Sequence, residues 1–365
     1  MTGNMKDARN EDAQENPYLT RRQFIKSTAA GAAAIYLAPS MALGLDDSGN
    51  AVKSRVVRVR HENLINPDER VNIRYARQCV DEALLMLTQK KEMKDAWTQI
   101  FPNLKSEDTI GLKVNCISGK CPTHPEIAYS LAQSLIDALG INPNNIIIWD
   151  RTISELKKTG YTVNQSKKGI RCTGTVESFS VVRWIMNMDQ DESDGVGYDN
   201  SLSVDVGEGV SSHLSNILTR MCTYLINVPV LKDHSLAGIT LSLKNHFGTI
   251  DNPRDCHPND CDPFIAKLNA TPQIRDKTKL VVCDAAFGVY EGGPRGAPQW
   301  QPKSILAATD PVALDYTGML MINGQRKKND LDPVTAMAVH LKTAEALGLG
   351  TCNPKKIAYE ESVLS

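Results

Sequence analysis

The middle of the chain contains the pattern that most narrows the possible folds. Two short apolar runs, Thr109–Asn115 and Asn145–Asp150, are typical of buried strands. Between them, Thr123 and Glu126 have the spacing of a helix capping box, and Gly140 stands where a helix would end. Apolar residues at every fourth position indicate the helix itself: Ile127, Leu131, Leu135 and Leu139. Because such a crossover makes its two strands parallel, the sequence predicts an α/β fold, with a mostly parallel sheet and helices on both faces.

Further segments extend this alternation of strands and helices. Pro229 weakens one predicted strand, because proline cannot donate a hydrogen bond to a sheet. The acidic, glycine-containing stretch Asp189–Gly209 is predicted to be an excursion over the surface. The remaining predicted strands are Tyr224–Leu231, Lys279–Asp284 and Ser304–Asp310, and the predicted helices are Val71–Thr88, Leu236–Phe247, Pro311–Met321 and Asp332–Leu347.

The composition is that of an ordinary soluble globular protein, with 41% hydrophobic and 23% charged residues in a chain of 365. The formal net charge is -1, and no cluster of lysine and arginine follows the N-terminal region, so nucleic acid is not an expected partner. The sequence has no phosphate-binding loop, no dinucleotide fingerprint and no nucleophile elbow. Any catalytic site must therefore be built from residues outside these three motifs.

The N-terminal region has the order of a targeting segment. Arg21 and Arg22, followed by Phe24 and Lys26, resemble the twin-arginine export signal. The stretch Ser27–Leu43 is alanine-rich and uncharged, which suits the apolar part of a signal, and no later stretch is apolar enough to span a membrane. We therefore expect a twin-arginine signal peptide at residues 1–44 and a single α/β domain at residues 45–365. The expected partner is the twin-arginine translocase, and the expected location is periplasmic or extracytoplasmic.

Polar residues close the predicted strands. Ligands of open parallel sheets bind beyond the carboxyl ends of the strands, so these residues are expected to converge on one rim. Asp310 is the exception, because it precedes Pro311 and is better explained as a helix N-cap. His124 is predicted to be an ordinary residue of a first helical turn. The candidate catalytic residues at the strand ends are Asp150, Lys232, His234 and Asp284, and Lys244 and Asn245 are added because they lie near the end of a predicted helix that could approach the same rim. The candidate cofactor-binding residues are Asn115 and, in the loop after the Asp284 strand, Gly292 and Gly293.

Cysteine and histidine suggest a second candidate site. All nine cysteines follow the predicted signal, and two pairs are each separated by four residues: Cys116 with Cys121, and Cys256 with Cys261. His257 lies beside the second pair, and with Cys261 and His234 it would form a nitrogen and sulfur ligand set that suits a transition metal such as zinc or iron. The spacing matches no standard zinc module. A local disulfide and unpaired thiols remain open as alternatives.

Several segments carry a resemblance to a known family. They are Ser118–Glu126, Asn145–Asp150, Asn227–Asn252, His257–Pro263 and Asp284–Gly293, and the most specific part reads Asn-Val-Pro-Val-Leu-Lys-Asp-His from Asn227. The chain thereby resembles the domain of unknown function 362 family, some members of which carry ferredoxin-like iron–sulfur modules. The resemblance implies a shared fold and site, but no activity. The dense cysteine runs of the iron–sulfur members are missing, so no ferredoxin cluster is expected in this chain.

Two functions are compatible with these features. The first is an enzyme that acts outside the cytoplasm and depends on a metal or an organic cofactor. The second is a non-catalytic carrier or assembly factor that holds a metal or cofactor for a co-exported partner enzyme. An enzyme should enclose acid and base groups with perturbed pKa values, whereas a carrier should expose its ligands beside an apolar patch.

The targeting interpretation predicts the effect of a double substitution. Arg21→Lys with Arg22→Lys should stop export and leave the fold intact, because the predicted signal precedes the predicted domain. Cell fractionation measures export, and thermal unfolding of the purified variant measures the fold. Normal amounts of the double variant outside the cytoplasm would contradict the interpretation.

Overall fold

A computed structural model describes residues 53–178 and 194–365, so the twin-arginine motif lies outside the described residues. Most of the strands belong to one ten-stranded sheet, and β5 with β6 forms a separate two-stranded sheet. The strands are β1 (Ser54–His61), β2 (Ile110–Lys113), β3 (Ile146–Thr152), β4 (Arg171–Val176), β5 (Tyr198–Gly207), β6 (Val210–Ser215), β7 (Tyr224–Asn227), β8 (Val230–His234), β9 (Gly238–Ile239), β10 (Thr278–Val289), β11 (Ser304–Ala308) and β12 (Ile357–Leu364).

The helices cover both faces of the large sheet. Within the described ranges, no helix combines the length and the apolar character needed to cross a membrane. The α-helices are α1 (Ile73–Thr88), α2 (Met93–Ile100), α3 (Pro125–Leu139), α4 (Ile153–Lys158), α5 (Leu241–Asn245), α6 (Phe264–Ala270), α7 (Pro272–Arg275), α8 (Pro311–Lys328) and α9 (His340–Ala346). Shorter 3-10 turns lie at Glu62–Leu64, Pro143–Asn145, His246–Thr249, Arg254–Cys256, Asn259–Cys261, Val334–Ala336 and Pro354–Lys356, and a π-helical turn at Ile217–Met221.

The large sheet is mostly parallel, as predicted. Its main order is β12-β1-β11-β10-β7-β2-β3-β4, and β8 pairs with β10 beyond the end of β7. Neighbouring strands are parallel from β10 to β4, whereas β11 is antiparallel to both β1 and β10. The break between β7 and β8 falls at Val228 and Pro229, which agrees with the weakness that proline introduces there.

Alternating side chains of the strands build one apolar core on each face. In β3, Ile146 and Ile148 belong to one core, and Ile147 and Trp149 belong to the other. Residues of α1, α2 and α3 pack into the first core, and residues of α5, α6, α8 and α9 pack into the second. A continuous apolar run such as β3 is therefore the sequence signature of a strand that is covered on both faces.

The antiparallel direction of β11 separates Asp310 from the other strand ends. The carboxyl end of β11 lies at the edge of the sheet opposite to the ends of β10 and β8. Asp310 follows β11 and instead caps α8, since its Oδ1 accepts a hydrogen bond from the backbone nitrogen of Ala313 at 2.9 Å. The preferred interpretation of Asp310 as an N-cap is confirmed.

Two segment predictions were wrong in part. The predicted helix Leu236–Phe247 contains β9 and only the short α5, because Gly238, with a φ of 71°, reverses the chain so that β9 pairs with β8. Of the predicted helix Asp332–Leu347, only α9 is α-helical.

The acidic stretch Asp189–Gly209 also differs from its prediction as a surface excursion. Residues 198–207 form β5, which pairs with β6, and residues 189–193 lie outside the described residues. Buried Val204 and Val206 alternate there with exposed Ser203 and Asp205. This period of two is the ordinary signal of a half-buried strand, and the acidic residues obscured it.

Buried histidines should make this fold sensitive to acid. Burial lowers the pKa of His246 and of His340 to about 3 and that of His234 to about 2. The unfolded chain binds protons at these residues near pH 6.5, and the folded chain does not. The free energy of unfolding should therefore fall below pH 6.5 by about 1.4 kcal/mol per pH unit for each histidine.

Denaturant unfolding between pH 7 and pH 4 measures this dependence. His340→Leu should reduce the slope of the free energy of unfolding against pH by the contribution of one proton. The reason is that the ring of His340 is wholly buried and its two nitrogens have no hydrogen-bond partner among the described residues. An equal dependence on pH in the variant and the native chain would refute the assignment.

Candidate functional site

Four charged residues lie buried at the carboxyl ends of parallel strands. Lys113 ends β2, Asp150 lies near the end of β3, Lys232 lies in β8, and Asp284 lies in β10 where it pairs with Val230 of β8. All four side chains are less than 6% exposed. The placement of Asp150, Lys232 and Asp284 on one rim agrees with the expectation from the strand ends.

Three of these residues form a continuous hydrogen-bonded series with two asparagines, which we call the polar chain: Asp150, Lys113, Asn245, Asn115 and Lys232. Lys113 Nζ donates to Asp150 Oδ1 at 2.6 Å and contacts Asn245 Oδ1 at 3.4 Å. The same oxygen accepts from Asn115 Nδ2 at 3.0 Å, and Asn115 Oδ1 accepts from Lys232 Nζ at 2.7 Å. Four candidate residues from different parts of the sequence are thus brought together, and Lys113 joins them.

Asp150 has little capacity left to bind a substrate. Its Oδ1 accepts from Lys113 Nζ and from the backbone nitrogen of Arg151, the latter at 2.7 Å, and its Oδ2 accepts from the backbone nitrogen of Cys116 at 2.5 Å. These contacts neutralise the charge of Lys113 and fix the backbone at the start of the loop after β2. The geometry therefore favours positioning as the role of Asp150, rather than direct catalysis.

Lys232 differs from Lys113 because its hydrogen-bond partners are uncharged. Its Nζ donates to Asn115 Oδ1 and contacts the carbonyl oxygen of Cys121 at 3.4 Å. In the described part of the chain it has no ion-pair partner, and its side chain is wholly buried. Burial lowers the pKa of Lys232, because the loss of hydration outweighs the attraction of charges such as those of Asp150 and Glu155.

His124 and Asp284 form an oriented acid–base pair. Asp284 Oδ2 accepts from the backbone nitrogen of His124 at 2.8 Å and lies 2.7 Å from His124 Nδ1. Burial disfavours the charged ring, but the charge and hydrogen bond of Asp284 outweigh burial and raise the pKa of His124. With Nδ1–H directed to the carboxylate, Nε2 is the atom that can accept or release a proton. The histidine side chain is 19% exposed, so solvent or a ligand has access to it.

Thr123 connects this pair to the polar chain. The backbone nitrogen of Asn115 donates to Thr123 Oγ1, and the backbone nitrogen of Thr123 donates to Asn115 O, both at 2.9 Å. Thr123 Oγ1 also donates to Val228 O at 2.7 Å, so the predicted capping box with Glu126 was wrong. His124, as the next residue, is therefore held close to the side chain that contacts Lys232.

A buried aspartate fixes the helix that supplies Asn245. Asp315 accepts from the backbone nitrogens of Ser242 and Leu243 at 2.7 and 2.9 Å, which anchors the first turn of α5. Burial raises the pKa of Asp315 to about 7, although these donors oppose the shift. At the other end of α5, Asn245 Nδ2 donates to Asn227 Oδ1 at 2.7 Å. Short though it is, α5 is thus fastened at both ends.

Lys244 belongs to a different cluster from Asn245. Its Nζ lies 3.6 Å from Cys261 Sγ and 3.7 Å from the ring centroid of Phe247. The His257 ring lies 5.4 Å from that of Phe247 and 6.1 Å from that of His234. The three candidate metal ligands therefore occupy one neighbourhood, separate from the polar chain.

The hydrogen bonds of this cluster do not fit a metal site. His234 Nδ1 accepts from two backbone nitrogens at 3.1 Å, so its proton is on Nε2 and neither nitrogen offers a lone pair to a metal. His257 does suit the role, because its Nδ1 donates to a carbonyl oxygen and leaves Nε2 available. Across residues 53–178 and 194–365, no group of three histidine, cysteine, aspartate or glutamate residues is placed to hold a metal. All nine cysteines have unpaired thiols, so neither candidate pair forms a disulfide.

The glycine loop after β10 has a packing role. Gly293 N donates to Asp233 Oδ1 at 2.7 Å, and a Cβ at Gly293 would overlap the backbone carbonyl of Asp233. Only glycine allows this approach, which holds the loop against β8. Gly292 is exposed and has a φ of 85°, a left-handed conformation that glycine adopts without strain. The contacts of the loop explain both glycines without a cofactor.

Sequence reasoning missed three residues of the site: Lys113, His124 and Asn227. Lys113 had a signal, since a lysine inside an otherwise apolar buried strand requires a buried partner. His124 and Asn227 had no comparable signal, because their partners Asp284 and Asn245 are remote in sequence.

The fold and the site define an α/β protein with a buried polar site at the carboxyl ends of its parallel strands. A family model described as "Domain of unknown function (DUF362)" matches residues 110–319, which is more than half of the chain. The chain belongs to this family.

Two further comparisons add little. A crystal structure of a protein from Thermotoga maritima is similar at 12% identity and a TM-score of 0.34, over 70% of this chain and 58% of that one. No curated protein matches the chain.

Breaking the Lys113–Asp150 pair by removing one charge should strongly destabilise the site. Asp150→Asn leaves a buried lysine without its counter-charge, and we expect a loss of about 3–5 kcal/mol in the free energy of unfolding. Adding Lys113→Met should recover part of that loss. Denaturant unfolding of both single variants and the double variant measures the coupling.

The exposed pair of Arg55 and Glu360 provides the control, and Glu360→Gln should cost less than about 1 kcal/mol. Equal costs for Asp150→Asn and Glu360→Gln would contradict the expected cost of leaving Lys113 buried without its counter-charge.

Proposed function

We propose that this protein is an exported enzyme that acts on a substrate with an anionic group, and that Lys232 binds this group. His124, oriented by Asp284, transfers the proton. The observation that carries the proposal is the wholly buried amine of Lys232, whose hydrogen-bond partners among the described residues are uncharged oxygens. Thr123 connects one of these partners, Asn115, to the aspartate-oriented His124. The twin-arginine motif supports a location outside the cytoplasm.

The charge balance of the rim supports an anionic substrate. Lys113 is neutralised by Asp150 at 2.6 Å, and Asp284 is neutralised by His124 when the ring is protonated. Lys232 has no ion-pair partner among residues 53–178 and 194–365, and burying a cation without a counter-ion is costly. A carboxylate or phosphate of the substrate would supply the missing charge, and it would restore the affinity of Lys232 for its proton.

The hydrogen-bond geometry supports His124 as the proton-transfer residue. The carboxylate of Asp284 also accepts from the backbone nitrogen of Ala286 at 3.0 Å, so it is held in place from two sides. An oriented carboxylate fixes the tautomer of the ring and stabilises the imidazolium that forms when Nε2 takes a proton. No step is assigned to a metal, because the ligand set around His257 does not fit one.

The carrier function receives less support. A carrier has to present its ligands to a partner, whereas His234 and Cys261 are at most 5% exposed. The polar chain, by contrast, is buried and contains a lysine whose pKa is lowered, as is expected of a catalytic site.

Anion binding can be tested without knowledge of the substrate. Isothermal titration with inorganic phosphate and with acetate should show binding to the native chain, and Lys232→Met should lose it. Lys120, an exposed lysine in the loop after β2, provides the matched control, and Lys120→Met should bind as the native chain does. Binding that survives Lys232→Met unchanged would overturn the role of Lys232.

Catalysis can be tested with a panel of phosphate esters and carboxylic acid derivatives. His124→Gln should lower kcat on any active member by about 10²–10⁴-fold with little change in KM, because the histidine transfers a proton in the transition state and does not bind the substrate. Asp284→Asn should also lower kcat, because it removes the carboxylate that orients His124. Full activity of His124→Gln would refute the proton-transfer role.

A further inference from the structure

Lys244 and Cys261 form a buried amine–thiol pair outside the polar chain. Lys244 Nζ lies 3.6 Å from Cys261 Sγ, and the ring of Phe247 covers the amine at 3.7 Å. Cys261 is wholly buried, and Lys244 has no carboxylate ion-pair partner in the described part of the chain. Buried amines are normally bonded to oxygen atoms, so a sulfur as the contacting partner calls for an explanation.

The backbone holds Cys261 in an unusual conformation. Asn259, Asp260 and Cys261 follow one another with φ values of 51°, 55° and 64°, the left-handed region that favours glycine. Each such residue costs about 1 kcal/mol or more, so the surrounding fold must impose the conformation. The hydrogen bond from Cys261 N to Pro258 O, at 2.9 Å, and that from Asp262 N to Asn259 O, at 3.0 Å, close this turn. The thiol is thereby kept against Lys244.

We propose that Lys244 and Cys261 are an oxidative modification site, at which one oxygen atom is inserted between Nζ and Sγ to form an N–O–S bridge. The oxidant is dioxygen. One N–H bond and the S–H bond break, and one N–O bond and one O–S bond form. Nitrogen and sulfur are oxidised and dioxygen is reduced. Its second oxygen atom leaves as water with the two hydrogens, so the reaction is balanced.

The surroundings favour the bridge over other products of cysteine oxidation. An oxidised Cys261 sulfur is shielded from water and has the amine of Lys244 as a nucleophile at 3.6 Å, on a flexible stem that allows the short approach. The neighbouring thiol of Cys256 is directed elsewhere, since it contacts Asn252 O at 3.6 Å.

The bridge would lie next to the polar chain in sequence, because a single peptide bond joins Lys244 to Asn245. Lys244 and Asn245 are consecutive in α5, and Asn245 contacts both Lys113 and Asn115. A covalent link from Lys244 to the loop of Cys261 would restrain the helix that positions Asn245. The redox state of this pair would thereby bear on the geometry of the rim.

Peptide mass mapping of the purified full chain tests the proposal. After equilibration with air, a cross-linked species should join the peptides of Lys244 and Cys261, heavier than their sum by one oxygen atom and lighter by two hydrogen atoms. It should be lost on treatment with a thiol reductant. Lys244→Arg and Cys261→Ser should abolish the species, and the matched control Cys256→Ser should retain it.

Other products would overturn the proposal. These are a sulfinic acid at Cys261 with an unmodified Lys244, or a disulfide between Cys256 and Cys261. If Cys261→Ser does not fold, the map of the native chain and the result with Lys244→Arg decide. No substrate is involved, so the outcome is independent of the proposed enzyme function.

Discussion

The ion pair of Lys113 and Asp150 is the contact around which the rim is arranged. It joins the ends of β2 and β3 at 2.6 Å, with both side chains almost fully buried. The same carboxylate holds the backbone at Cys116, and the same amine contacts Asn245. A buried ion pair rarely adds much net stability, because desolvation offsets the attraction, but it strongly disfavours arrangements in which either partner is left alone. The pair therefore specifies one geometry for the loop after β2 and for α5.

That geometry explains why Lys232 has no ion-pair partner in the part of the chain that the structure describes. Asp150 is committed to Lys113 and to backbone nitrogens, and Asp284 is committed to His124. Asn115 faces Lys232 with an amide oxygen, which accepts a hydrogen bond and carries no charge. An aspartate at the position of Asn115 would neutralise Lys232 and remove its need for an external anion. The amide thus keeps the site polar while leaving one charge for a ligand to balance.

The fold was largely predictable because its signals are local. The apolar run of β3, the four-residue period of α3 and the terminal Gly140 each show in a few consecutive residues, and Gly140 does cap α3 in the left-handed conformation. The direction of β11 and the pairing of His124 with Asp284, 160 residues apart, depend on tertiary contacts that no local pattern encodes. Candidate residues could be chosen from the strand ends. The sequence could not predict which of these charged residues would form ion pairs with one another.

The position of α5 shows why the two clusters should not be treated as independent. The helix has only five residues, too few to be stable by itself, so its place is set by Asp315 at one end and by the contacts of Lys244 and Asn245 at the other. Consecutive residues of a helix point in directions about 100° apart. Lys244 and Asn245 therefore enter different surroundings from a single turn, and a displacement of one must displace the other. A short helix fixed in this way would transmit a change at the Cys261 thiol to the Asn245 amide that orders the rim.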